Sequence, residues 1–183
     1  TLHEVKDTVG TSSKLEFIIP HEGVVGNTIA STALKEQYRL LISAISKRLE
    51  ARGIRCDISD AWYLATQNHF SFSVEGKGKQ ELKEKMTQVL GAFADITKKG
   101  FGKEELADYV TEKVNRMKAD TVGFQSGKWC DDFVDYIISG DRYVAWDEDM
   151  EKVKLLVSNT SSSQLQKLFK TILNEGKQSL LVA

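Results

Sequence analysis

The apolar residues of this chain change their spacing twice, and that switch limits the folds open to it. From Ser31, Leu34, Tyr38, Leu41, Ile42, Ile45 and Leu49 recur at helical spacing, while Lys35, Arg39, Lys47 and Glu50 mark the wet side. This predicts one amphipathic helix to about Arg52, with Gly53 as its stop. Cys56, Ile58, Trp62 and Leu64 then share one parity, and Phe70, Phe72 and Val74 repeat the pattern. Two antiparallel strands follow from this, joined across Ala65 to Asn68 and closed by the turn-like "EGKGK" at 75–79. Helical spacing returns through Leu82, Met86, Val89, Leu90 and Phe93, and again, after Gly100 and Gly102, through Leu106, Val110, Val114 and Met117.

The flanks complete the order. Residues 1–13 are polar and read as a tail or linker. The run Leu15 to Ile19 reads as a strand closed by Pro20, the one proline of the chain. Further helices are expected over Trp129 to Ile138, Asp147 to Val157 and Ser161 to Leu173, with a last strand from Ser179 to Ala183. Ser161 with Gln164 fits a capping box. Trp129, Phe133 and Ile137, spaced four apart, are expected in the core. Strand, helix, two strands, a run of helices and a strand make an α+β domain, its sheet mostly antiparallel with helices packed on one face. At 183 residues the chain suits a single domain, 14–183, after the tail. It opens at Thr1 without an initiator methionine, as a processed product or an excised piece would.

Charge and composition exclude several classes of function. With 25 basic against 26 acidic residues there is no overall pull toward nucleic acid. No stretch approaches the roughly 20 apolar residues of a membrane-spanning helix, so membrane insertion is not expected. Cys56 and Cys130 are too few and too far apart for a disulfide framework or zinc knuckle, and read as buried free thiols. A helical zinc-protease motif needs two histidines on one face with a glutamate as base. The three histidines, His3, His21 and His69, do not supply it: His3-Glu4 leads to Asp7 and His21-Glu22 to Val25, where a second histidine is required. His-x-x-Glu-His is also absent. His69 is expected at the surface or in a turn. There is no Gly-x-Ser-x-Gly elbow and no phosphate-binding glycine loop. Catalytic, cofactor-binding and metal-binding residues are therefore expected to be absent. Arg142, Tyr143 and Trp146, beside Gly140, form a polar-aromatic group suited to peptide contact or to an ordinary loop.

The stretch "KKGFGKEELADYVTEKV", Lys98 to Val114, resembles the Gly-Phe-Thr-x-x-Glu-Leu helix start of insulinase-like and pitrilysin-like zinc proteases. Upstream, "LLISAISKRLEARG" and "AWYLATQNHFSFSVEGKGKQELKEKMTQVL" are similar to the helix end, strand pair and following helix of that family's non-metal domains. Downstream, "WCDDFVDYIISGDRYVAWDEDMEKVKLLVSNTSSSQLQKLF" is similar to its later helices, so the likeness runs from Ile18 to Ala183. Gly102 departs from the family, which tends to carry threonine there as N-cap.

That resemblance implies a metallopeptidase-homology domain, related to the ferredoxin-like folds and matching the second, non-catalytic domain of the N-terminal half of a bacterial zinc protease. It implies no catalysis by this chain alone, zinc in the parent's separate catalytic domain, and as partners the parent's other domains in cis and a polypeptide substrate. It also implies a periplasmic or cell-envelope location. The competing expectation is a structural or assembly role, as in respiratory-complex core subunits of the same fold; an independent ferredoxin-like ligand-binding module is a third. Glu104 and Glu105 are expected to be helix-start charges complementing the positive helix end, not catalytic carboxylates.

Overall fold

The period-two stretches form strands and the period-3.6 stretches form helices in the computed structural model, which describes residues 2–4, 12–26, 28–64, 66–122, 130, 133–134, 137–138, 148–175 and 179–182. In chain order the elements are β1 (Leu2–Glu4), β2 (Ser13–Glu22), α1 (Ile29–Ala51), β3 (Asp57–Leu64), β4 (Gln67–Gly76), α2 (Lys79–Lys99), α3 (Lys103–Val122), α4 (Glu148–Ser158), α5 (Ser162–Glu175) and β5 (Ser179–Val182). They build one five-stranded sheet in the order β1-β5-β2-β4-β3. All pairings are antiparallel except β1 with β5. Leu2–Glu4, inside the stretch that reads as a tail, thus adds a parallel edge strand.

Register explains which face is buried. Leu15, Phe17 and Ile19 of β2 lie opposite Val74, Phe72 and Phe70 of β4, and Ile58 of β3 opposite Phe72, so these side chains share one face. Lys14, Glu16 and Glu22 alternate onto the other. On the apolar face Phe72 meets Phe93 of α2 edge-on, with ring centroids 4.9 Å apart, and Phe93 meets Phe169 of α5 at 5.1 Å. Such edge-to-face pairs each add about 0.5–1.5 kcal/mol beyond the area they bury.

Helix α1 forms the next layer. Tyr38 stacks on His21 of β2, so the expected stripe of Leu34, Tyr38, Leu41, Ile45 and Leu49 faces the sheet. Gln37 bonds to Thr160, and Lys47 and Arg48 pair with Glu112 and Glu105 of α3, so the neighbouring stripe of Ala33, Leu40 and Ala44 faces α3 and α4. Ala33, Leu40, Leu41, Ala44, Ile45 and Leu49 are buried, with Leu34 and Tyr38 half-buried. The helix ends as expected: Ile54 N–H donates to the Leu49 carbonyl and Gly53 N–H to that of Glu50, while Gly53 takes φ +70°, a Schellman closure that glycine makes inexpensive.

Several expectations are corrected. Pro20 does not end β2 but lies inside it; among the described residues the β5 pairing stops at Ile18, so the proline has a ladder partner on the β4 side alone, where a missing N–H is tolerated. His69 is not in a turn, because β4 begins at Gln67 and places it within the strand, opposite Pro20. Cys56 is half-buried, but Cys130 is exposed. Phe133 and Ile137 are helical yet 54% and 64% exposed, since α1, α2 and α5 already close the core on the sheet. Trp129 lies outside the described residues, as do Arg142, Tyr143 and Trp146.

Candidate functional site

Chemistry in this chain would have to come from its histidines, its thiols or the glutamates opening α3. His21 is buried in β2, and both ring nitrogens are engaged: Nδ1 lies 2.9 Å from the Glu22 carbonyl oxygen and Nε2 2.9 Å from Asp60 Oδ1. His69 is one register position away and so on the opposite face of the sheet, while His3 sits on β1, at the far side of β5 and β2. These residues do not fit a zinc ion: both His21 ring nitrogens are already in hydrogen bonds, and among the described residues no three histidine, cysteine, aspartate or glutamate side chains converge. Burial pushes the Cys56 thiol up to about 11, so it is an unreactive thiol at neutral pH.

The segment from Gly100 to Tyr109 is built as a joint. Gly100 closes α2 by donating to the Ile96 carbonyl at 2.8 Å, in a conformation (φ +68°, ψ −154°) that is essentially reserved for glycine. Ser162, opening α5, accepts from Phe101 N–H and donates to the Phe101 carbonyl, each at 2.8 Å. Gln166 of α5 donates to the Thr97 carbonyl at 2.9 Å, satisfying a last-turn acceptor of α2. Gly102 then caps α3, and Glu105 three residues on reaches back to its N–H at 2.9 Å, the glutamate half of a capping box.

Glu105 is also the center of a charged cluster. Arg48 of α1 grips its carboxylate with Nε and Nη2, and donates from Nη1 to the Gly100 carbonyl at 2.8 Å. The guanidinium lies 4.5 Å from the center of the Phe101 ring, and the Tyr109 hydroxyl donates to Glu105 at 3.1 Å. Arg48, ahead of the Gly102 N–H and Tyr109, holds the Glu105 carboxyl below the usual glutamate range; burial and then Glu105 push the Tyr109 hydroxyl up to about 12. A general base needs a carboxylate titrating nearer neutrality and free to take a proton. Glu105 is the opposite case, and its role is to join α1 to α3. Glu104 is simply exposed at the helix start.

Beside this joint runs an open groove of about 650 Å³, with Leu106, Val110 and Val114 contributed by α3 and Ser158, Thr160 and Ser161 by the α4–α5 link. It offers apolar surface bordered by hydroxyls. The partners of Asp60, Arg48 and Phe101 lie 39, 57 and 61 residues away, so no local spacing exposes these contacts; only Glu105, at the third helical position after a glycine, carried a sequence signal.

The sheet order, with helices on one face and further helices outside them, is an α+β fold that the chain shares with insulinase-like M16 peptidase domains. The chain is similar to the first half of the periplasmic protease PqqL from Escherichia coli, with a TM-score of 0.86 at 12% identity over 99% of this chain and 41% of that one. It is similar, too, to a peptidase M16 inactive domain from Pseudomonas fluorescens, at a TM-score of 0.64 and 12% identity over 100% of this chain and 42% of that one. A chain of complex III2 from Candida albicans gives a TM-score of 0.69 at 7% identity, over 100% and 45%. No family model and no curated protein sequence matches. The likeness is therefore one of fold, and this chain spans about two fifths of each of these proteins and 21% of full-length PqqL.

Proposed function

We propose that this chain is a non-catalytic domain of a larger zinc-dependent peptidase, forming part of the wall of its substrate chamber and supporting hydrolysis by a separate zinc-bearing domain. The observation that carries this reading is the pairing of an M16 peptidase fold with described residues that bring no metal-binding cluster together, His21 being hydrogen-bonded to Asp60. The domain proper is 14–183, with Leu2–Glu4 of the preceding stretch added to the edge of its sheet, and the other domains of the parent are partners in cis. Unfolded polypeptide is the substrate, met in part by Arg142, Tyr143 and Trp146. A periplasmic or cell-envelope location rests on the resemblance to bacterial proteases, PqqL among them.

The test uses the purified chain, dialysed against zinc and assayed on unfolded polypeptides. It is expected to retain less than one zinc per chain and to cut nothing, while cleavage appears once the parent's zinc-bearing domain is supplied. Stoichiometric zinc with unaided cleavage would refute the reading. The likeness to a complex III2 chain favours the structural or assembly role as the second reading, and a parent whose other domains lack His-x-x-Glu-His would select it.

A further inference from the structure

The His21–Asp60 pair lies on the apolar face of the sheet, with the two side chains 2% and 5% exposed. Its hydrogen bonds restrict its protonation. A backbone carbonyl only accepts, so the contact of Nδ1 with the Glu22 oxygen requires a proton on Nδ1. In the neutral ring that leaves a lone pair on Nε2, facing a carboxylate oxygen at 2.9 Å in a buried place. A second proton between Nε2 and Oδ1 removes the conflict. The geometry points to an imidazolium–carboxylate pair, and we propose that it is a proton-dependent clamp on the outer strand of the sheet.

The surroundings favour this. Asp60 of β3 is the acidic group facing the ring, Asn68 is its neutral register partner on β4, and Tyr38 of α1 stacks on it at 5.7 Å. Glu22 alternates to the other face and contributes its carbonyl. The clamp reaches across β4, from β2 to β3. Among the described residues edge strand β3 has β4 as its one ladder partner, and its register shifts between Trp62 and Leu64, so the tie at Asp60 sits just ahead of an irregular strand end. Loss of the proton leaves an anion facing a lone pair and loosens that end. The clamp therefore weakens as pH rises and His21 gives up its second proton.

Nitrogen-15 NMR of the histidine rings and amide hydrogen exchange of β3, followed from about pH 6 to about pH 9, test the clamp. His21 is expected to carry protons on both nitrogens at neutral pH. Protection of the β3 amides, corrected for intrinsic exchange, is expected to fall roughly tenfold across the range, the size of effect that one unit of proton linkage produces. In Asp60→Asn the amide can donate to a neutral ring, so His21 should carry one proton and the pH dependence should vanish. A singly protonated His21 at neutral pH in the unaltered chain, or β3 protection that does not change with pH, would overturn the proposal. Both readings come from the unaltered chain, so they decide the matter even where Asp60→Asn fails to fold.

Discussion

Gly100 shows how much one backbone position can carry. Its φ of +68° with ψ of −154° lies in a region that side-chain-bearing residues enter at a cost of about 1–3 kcal/mol. A Cβ there would also stand 2.6 Å from Ser162 Oγ, the atom that bonds both the N–H and the carbonyl of Phe101. Gly100→Ala should therefore cost about 2–4 kcal/mol in urea unfolding, strain plus disturbance of the Ser162 bonds. Ser162→Ala alone should cost about 1–2 kcal/mol. The double variant should fall short of their sum, because removing the hydroxyl relieves the clash. A strictly additive result would mean that Gly100 matters for its dihedrals only. The glycine-bracketed phenylalanine was visible in the sequence as a turn before a helix, but the serine that fills it, 61 residues away, was not.

Between elements, the decisive contacts are long-range and charged. Arg48 and Glu105 join the last turn of α1 to the first turn of α3, and their side chains are 12% and 27% exposed, so the pair is shielded more than a surface ion pair. Glu105 is held below its unfolded value, so its stabilisation is complete above the unfolded carboxyl's titration and is lost as pH falls through the folded one. Glu105→Gln should lower stability by about 1–3 kcal/mol at neutral pH. Its loss of stability between about pH 5 and about pH 3 should then be smaller than that of the unaltered chain, and equal acid slopes in urea titrations would contradict the assignment. The elements themselves were largely legible. The capping box at Ser161 and Gln164 forms, with Ser161 N–H donating to Gln164 Oε1 at 2.7 Å, and the expected helix lies at Ser162–Glu175. What escaped were positions where tertiary context overrides a local rule, as at Pro20, where pairing with β4 carries the strand on to Glu22.

For the whole molecule, α1 is the shared wall of two layers, and this too was only half legible. The stripe of large residues facing the sheet stands out by its spacing, whereas the stripe facing α3 and α4 includes Ala33 and Ala44, too small to register as a hydrophobic face although 3% and 0% exposed. Small residues there let the outer helices approach α1 closely, and that approach brings Lys47 and Arg48 within reach of α3. Two substitutions separate the layers. Ile45→Ala empties the sheet side of a fully buried residue and should cost about 2–5 kcal/mol, lowering hydrogen-exchange protection in β2, β4 and the helices alike. Ala44→Leu overfills the outer side and should cost about 1–3 kcal/mol. Its effect should appear first as lost protection in α3 and α4, with the amides of β2 and β4 keeping most of theirs. Uniform loss across both layers in Ala44→Leu would mean that the outer helices and the sheet open as one unit, with α1 transmitting the strain between them.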